Sequence, residues 1–330
     1  MEGPILKITK LNKAFGRKAI LKNINLDVYQ GEILGIIGAS GSGKTTLLNT
    51  LIGFVQPDEG KVLFKAQKAI NINKEEYQSF SSNEKSVKNM YGFAAQFPSF
   101  YEKLTVKENL EYFGELYDLS KDTRKANSET LMKLMDLQNS SNVLAKNLSG
   151  GMERRLDIAC AMMHNPKILI LDEPTADLDP FLRNNIWNLI EKINKKGTTI
   201  ILSSHHLSEL ETLCSRIAIL KHGKILGLGT TKELKEKFAG QEELRIQSYP
   251  GDYNKIGTHL INVFPDQITK CTNKGNELLV ACKEPQYLLN RLMKEIETQN
   301  ERIIEIKLIH PSLDQIFINI SGENKWNPGQ

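Results

Sequence analysis

The sequence predicts an α/β protein of two domains, and three observations carry that prediction. Short β-type runs alternate with helical stretches from Ile5 to Leu220, the pattern of a mainly parallel sheet covered by helices. A glycine-rich loop stands between an almost continuously apolar run, Ile33-Leu34-Gly35-Ile36-Ile37, and the apolar helix start Leu47-Leu48. After about Gly240 the order of elements becomes β-α-β-β-α-β. A chain of 330 residues agrees with about two such domains.

Taken in order, Ile5 to Ile8, Ala19 to Leu21 and Ile24 to Val28 read as strands, the last half-buried by its period-two alternation. Ile33 to Ile37 reads as a strand buried on both faces. Residues 66–90 are rich in Asn, Lys and Ser and read as a surface insertion or irregular connection. Between Leu104 and Gly151 apolar residues fall three and four apart (Leu110, Phe113, Leu116, Tyr117, then Leu131, Leu134, Met135). That spacing predicts a helical subdomain, about 100–165, inserted into the first domain (1–238). Strands return at Ile168 to Leu171, Thr199 to Leu202 and Arg216 to Leu220. The second domain, 239–330, reads as strand 243–246, helix 256–263, strands 267–272 and 278–282, helix 285–298 and strand 303–308. This is the split β-α-β plan of a small α+β, ferredoxin-like domain. A last helix, Ser312 to Ile320, is expected with Ser312 as its N-cap after Pro311.

Composition narrows the function. Lys+Arg 43 against Asp+Glu 39 leave a net charge of +4, too mild for a nucleic-acid binder, so no nucleic-acid partner is expected. Hydrophobic residues at 40% and charged residues at 25% are those of a globular protein and exclude wholesale disorder. No apolar run approaches the roughly 20 residues a bilayer needs, and Met1-Glu2-Gly3-Pro4 does not read as a secretory signal. Cys160, Cys214, Cys271 and Cys282 are widely spaced and read as thiols of a reducing cytoplasm.

The strongest chemical signal is Gly38-Ala39-Ser40-Gly41-Ser42-Gly43-Lys44-Thr45, which fits G-x-x-x-x-G-K-[ST] between a buried strand and a helix. Backbone N–H groups of such a loop converge on an anion, helped by the helix N-terminus that Thr46 continues. Lys44 neutralises β/γ-phosphates, and Thr45 can ligate Mg²⁺. Downstream, the buried strand 168–171 ends in Asp172-Glu173. One carboxylate can hold Mg²⁺ through water, and the other can orient or deprotonate an attacking water. Between them, Leu148-Ser149-Gly150-Gly151-Met152 opens a helix. It reads either as a second anion site or as a helix capped by Ser149.

These motifs, in this order over residues 4–235, resemble the ATP-binding cassette (ABC) ATPases. The resemblance implies a P-loop NTPase core with an antiparallel β subdomain and an inserted helical one, with ATP and Mg²⁺ as ligands. It further implies roles for matching residues. Gln96 corresponds to the Q-loop glutamine that reaches Mg²⁺, and His205, rather than the adjacent His206, to the switch histidine at the γ-phosphate. Phe15 corresponds to the aromatic that stacks on adenine, Glu173 to the general base, and Asp179 to the D-loop aspartate. Ser149, Gly150 and Gly151 correspond to the signature that closes on nucleotide. Two departures are Met152, where a glutamine is frequent, and Asp177, where many members have a small residue.

The chain has one phosphate loop and one signature, and in this family the signature of one copy closes over ATP held by another. The implied partners are therefore a second cassette, as a homodimer or as a heterodimer with a related subunit, and a separate transmembrane permease subunit. The implied location is cytoplasmic, peripheral on the inner face of the cell membrane. Phe97, Pro98, Phe100 and Tyr101 after Gln96 suit a surface that receives the permease. This segment and Pro311-Ser312-Leu313-Asp314-Gln315-Ile316-Phe317 resemble the ABC-2 type exporter, drug-resistance group. The rival reading, a soluble ABC ATPase acting on ribosomes or DNA, expects two cassettes in one chain or a long coiled coil. The sequence has neither.

Overall fold

The computed structural model describes residues 3–65, 77–205, 207–238 and 242–309. The chain divides into two compact units, Met1–Thr231 and Lys232–Gln330.

Unit 1 begins with a long hairpin, β1 (Leu6–Phe15) and β2 (Lys18–Val28), which joins the two short β-type runs after Lys18 into one strand. β3 (Ile33–Ile37) follows, buried at every position, and runs through the glycine loop into α1 (Lys44–Leu51). β4 (Glu59–Lys65), β5 (Tyr77–Gln78), α2 (Phe80–Lys88) and β6 (Tyr91–Ala94) come next. Of the expected surface insertion or irregular connection over 66–90, residues 66–76 lie outside the described residues, and at 77–90 the irregular alternative is corrected by a short strand and a helix. Val87 and Met90 are buried in the core there, which supplies the apolar anchor that the polar composition concealed.

Three helices occupy the stretch predicted to be helical: α3 (Val106–Leu116), α4 (Lys121–Leu134) and α5 (Gly150–Ala161). α3 starts at a capping box, in which Thr105 Oγ1 accepts from Glu108 N while Glu108 accepts from Thr105 N. The remaining elements of the first unit are β7 (Ile168–Leu171), α6 (Pro180–Lys195), β8 (Thr199–Ser204), α7 (Leu207–Leu213), β9 (Arg216–Lys221) and β10 (Lys224–Gly229). Helix α8 (Thr231–Phe238) spans the division between units.

Two sheets form in unit 1: an antiparallel one in the order β2-β1-β4-β5, and a six-stranded one in the order β10-β9-β3-β8-β7-β6. All pairs of the second sheet are parallel except β10 with β9. Leu34, Ile36, Leu47, Phe64, Ile170 and Ile201 belong to one core between the sheets and α1. The strand registers Ile37↔Ser204, Leu171↔Leu202 and Ala94↔Leu171 set the carboxyl ends of β3, β8, β7 and β6 at one edge.

Unit 2 contains β11 (Glu242–Tyr249), α9 (Tyr253–Val263), β12 (Ile268–Asn273), β13 (Leu278–Cys282), α10 (Pro285–Thr298) and β14 (Arg302–Ile309), in the predicted order. Its sheet is antiparallel, β12-β13-β11-β14. Leu244, Ile246, Ile256, Leu260, Leu288 and Leu292 form its core with the two helices. The expected helix Ser312 to Ile320 and the motif 311–317 lie outside the described residues.

Candidate functional site

The site grows from four strand ends. After the buried β3, the loop 38–43 turns back tightly enough that a Cβ on Gly38 would come within 2.4 Å of Leu220 O and of Ser42 Oγ. Gly43, at φ 110°, enters α1 in a conformation that L side chains avoid. Lys44, only 9% exposed, curls over this loop and donates from Nζ to Gly38 O at 2.8 Å. The same ammonium lies 3.4 Å from Glu173 Oε1. Glu173 Oε2 is 2.8 Å from His205 Nδ1 at the end of β8. Lys44, Glu173 and His205 therefore form one line of contacts, half-open at His205.

The backbone at Glu173 is held in the left-handed region, φ 48°. Ser203 Oγ accepts from Glu173 N at 2.9 Å and donates to Asp172 Oδ1 at 2.5 Å. Asp172 is buried, while Thr45 and Gln96 are exposed. Asp172 N donates to Ala94 O at 3.0 Å, which sets the residues after β6, Ala95 and Gln96, alongside Asp172. Thr45, Gln96 and Asp172 offer a hydroxyl, an amide oxygen and a carboxylate. These are hard oxygen donors suited to a Mg²⁺ ion that keeps much of its water. Together with the Gly38 cradle and the Lys44 ammonium, this donor set fits a magnesium nucleotide.

Three further site elements come out as follows. Phe15 closes β1 with its ring 54% exposed and Lys13 Nζ 5.4 Å from its centroid. The strand that follows reaches the phosphate loop, since a Cβ on Gly43 would meet Ile20 O at 3.2 Å. Ser149 takes the N-cap conformation of α5, but its hydroxyl makes no cap hydrogen bond and the residue is exposed. A Cβ on Gly150 would lie 3.8 Å from Leu178, and one on Gly151 would lie 3.0 Å from Leu182, so the turn packs beside the segment that carries Asp179. Asp179 itself caps α6, its Oδ1 accepting from Phe181 N and Leu182 N at 2.9 and 3.0 Å. No hydrogen bond or ion pair among the described residues joins Ser149 to Lys44. His206 lies outside the described residues.

The comparisons follow the same division. A family profile described as ABC transporter matches residues 21–176. Another, described as the C-terminal domain of DrrA1-3-like ATP-binding proteins, matches residues 229–321. Residues 21–176 thus carry an ABC transporter ATPase domain. The linearmycin resistance ATP-binding protein of Bacillus subtilis (strain 168) is 29% identical to this chain over 320 residues, 96% of this chain and 98% of the relative. The Nod factor export ATP-binding protein I of Rhizobium sp. (strain N33) is 27% identical over 319 residues, 96% and 97% of the two chains. Among solved structures, a dimeric post-hydrolysis state of an ATP-binding cassette bound to ADP and Pi superposes with a TM-score of 0.58. It is 28% identical and covers 68% of this chain and 98% of that one.

Sequence reasoning passed over four residues. Ser203 bridges Asp172 and Glu173, and behind them Arg154 and Asp157 form a buried pair to which the exposed Ser99 bonds. Burial pushes the Asp157 carboxyl up, opposed by the Ser99 bonds and by Arg154, and burial lowers Arg154 against the pull of Asp157, Asp172 and Glu173. The signal was present for Asp157, which stands among Leu156, Ile158 and Ala159, whereas Arg154 lies between Glu153 and Arg155. Charges embedded in an apolar helical run are rarely exposed at random. The exposed Phe97 and Tyr101, by contrast, lie on the surface as the sequence suggested.

Proposed function

We propose that this chain is the ATP-hydrolysing subunit of an ABC exporter, working as a head-to-tail pair of cassettes docked on a separate membrane subunit. The observation that supports this most is the contact line Lys44–Glu173–His205 beneath the phosphate loop. Lys44 neutralises phosphate charge as the loop N–H groups bind the oxygens. Glu173, poised by Ser203 at its own N–H, accepts the proton of the attacking water, and His205 orients its carboxylate. Mg²⁺, held through Thr45, Gln96 and Asp172, supplies charge neutralisation at the β/γ oxygens. Phe15 offers the ring for adenine.

The uncommitted hydroxyl of Ser149 at an exposed helix N-terminus supports the paired arrangement, since it is free to meet the nucleotide of a second copy. Asp179 contributes by capping α6 next to that turn rather than by direct hold on nucleotide. No helix among the described residues is long and apolar enough to cross a membrane, and the exposed Phe97 and Tyr101 are suited to receive the permease at the inner face of the membrane. The relatives named for linearmycin resistance and Nod factor export support export as the direction.

Glu173→Gln tests the reading. It is expected to lower ATP turnover by about 100-fold or more, retain ATP binding and accumulate a nucleotide-bound dimer visible by light scattering. Full turnover by a monomer would sink it.

A further inference from the structure

Arg154 lies in the first turns of α5, 6% exposed, and its guanidinium reaches two separate segments of main chain. Nε donates to Pro174 O and Nη2 to Asp172 O, both at 2.9 Å, so the fork holds the carbonyls on either side of Glu173. Nη1 donates to Ala95 O at 2.6 Å, the carbonyl directly before Gln96. Nη1 also lies 3.3 Å from Asp157 Oδ2, and Asp157 Oδ1 accepts from Ser99 N and Oγ at 2.9 and 2.8 Å.

Stability alone is a poor reason for this arrangement, because well-packed apolar side chains generally serve a fold as well as a buried ion pair does. What apolar side chains cannot do is hold three carbonyls from two segments at fixed separations, which the planar, five-donor guanidinium does. The residue it brackets needs such support. Glu173 sits at φ 48°, a conformation a non-glycine residue keeps only when its surroundings enforce it. The same helix begins at the exposed Ser149-Gly150 turn.

We infer that Arg154, paired with Asp157, is a positioning residue that couples engagement of the signature turn by a second copy to the placement of Glu173 in this chain's own site. The inference rests on the paired-cassette reading above. A shift of α5 when Ser149 meets the partner's nucleotide moves the fork, and with it the carbonyls flanking Glu173 and the start of the Gln96 loop. Such coupling is reciprocal, so nucleotide at this chain's own Glu173 and Gln96 biases the α5 position presented to the partner.

Arg154→Lys keeps the charge beside Asp157 but leaves one ammonium that cannot span all three carbonyls. Steady-state MgATP hydrolysis by the full chain, at a temperature where thermal melts show both proteins folded, reads the effect. The expected result is a kcat at least about tenfold lower, a KM within about twofold of wild type, and a Hill coefficient for ATP falling from above one toward one. A merely structural loss lowers the active fraction and leaves cooperativity intact. An unchanged Hill coefficient, or a rise in KM that accounts for the lost activity, overturns the inference. Wild-type protein without ATP turnover overturns instead the reading on which it rests. If Arg154→Lys does not fold, Ser99→Ala removes a single bond to Asp157. It is expected to lower kcat about two- to fivefold with the same fall in cooperativity, and unchanged values overturn the inference.

Discussion

In the six-stranded sheet of unit 1 four adjacent parallel strands end at one edge, and the polar residues that follow them gather there: Gly38 to Lys44, Asp172 and Glu173, Ser203 to His205, Ala95 and Gln96. In the antiparallel sheet of unit 2 successive strands run in opposite directions, and the buried Glu301 and half-buried His259 are committed to the fold. Glu301, 5% exposed, accepts from Gly251 N and Asp252 N at 2.8 Å each, and His259 Nε2 pairs with Glu295 at 3.0 Å between α9 and α10. Parallel topology collects unlike functional groups at one edge, as open α/β sheets do with ligand sites. Antiparallel topology distributes them, and each then serves its own turn or helix pair. Polar groups gathered at the parallel strand ends are therefore a sign of chemistry, and Glu301 and His259 in the second unit a sign of local architecture.

Substitutions in the two units sharpen this contrast. The largest effect is expected from Lys44→Ala, which removes both the bond to Gly38 O and the ion pair to Glu173. ATP affinity measured by calorimetry is expected to fall about 100-fold or more, with little change in thermal midpoint. A large loss of stability with binding intact would break the contrast. Glu301→Ala should do the reverse. The main-chain N–H groups of the half-buried Gly251 and the exposed Asp252 lose their charged acceptor, so unit 2 is expected to lose about 2 kcal/mol in urea melts while ATP turnover stays at the wild-type rate.

The smallest effect concerns a half-buried polar group of unit 1 that lies away from the nucleotide edge. His164 stacks on Tyr117 with ring centroids 3.7 Å apart, and its Nε2 lies 3.0 Å from Tyr91 O. Burial lowers its pKa to about 4, against the opposing Tyr91 bond. The unfolded chain therefore binds more protons than the folded one between about pH 6.5 and 4, and stability falls as pH drops through that window. Between pH 6.5 and 5 the loss is expected to be on the order of 2 kcal/mol, less whatever solvent reaches the ring. His164→Phe, which keeps the stack, should flatten that part of the pH profile in denaturant melts. An unaltered slope would show that the titration lies elsewhere.

Much of this was legible in the sequence because it is local. A buried strand, a glycine loop and an apolar helix start fix the phosphate loop within a few residues, and β7, β13 and α10 occur where runs and caps placed them. The regular structure of residues 77–90 was not legible because local polarity hid two apolar anchors, Val87 and Met90, whose burial depends on distant strands. Arg154, between Glu153 and Arg155, reads as one more surface charge, because its partners Ala95, Asp172 and Pro174 lie far away in sequence.

The sequence by itself determined the chemical inventory: a phosphate loop, an acidic strand end, a histidine after a buried strand and a Ser-Gly-Gly helix start. Short-range sterics and hydrogen bonding dictate each of those pieces. Only the tertiary structure decided that Glu173 touches both Lys44 and His205, that Ser149 keeps its hydroxyl free, and that Arg154 ties three segments together. Those outcomes depend on strand register and on packing across long sequence separations, where a side chain's partner is set by the whole fold and not by its neighbours in the chain.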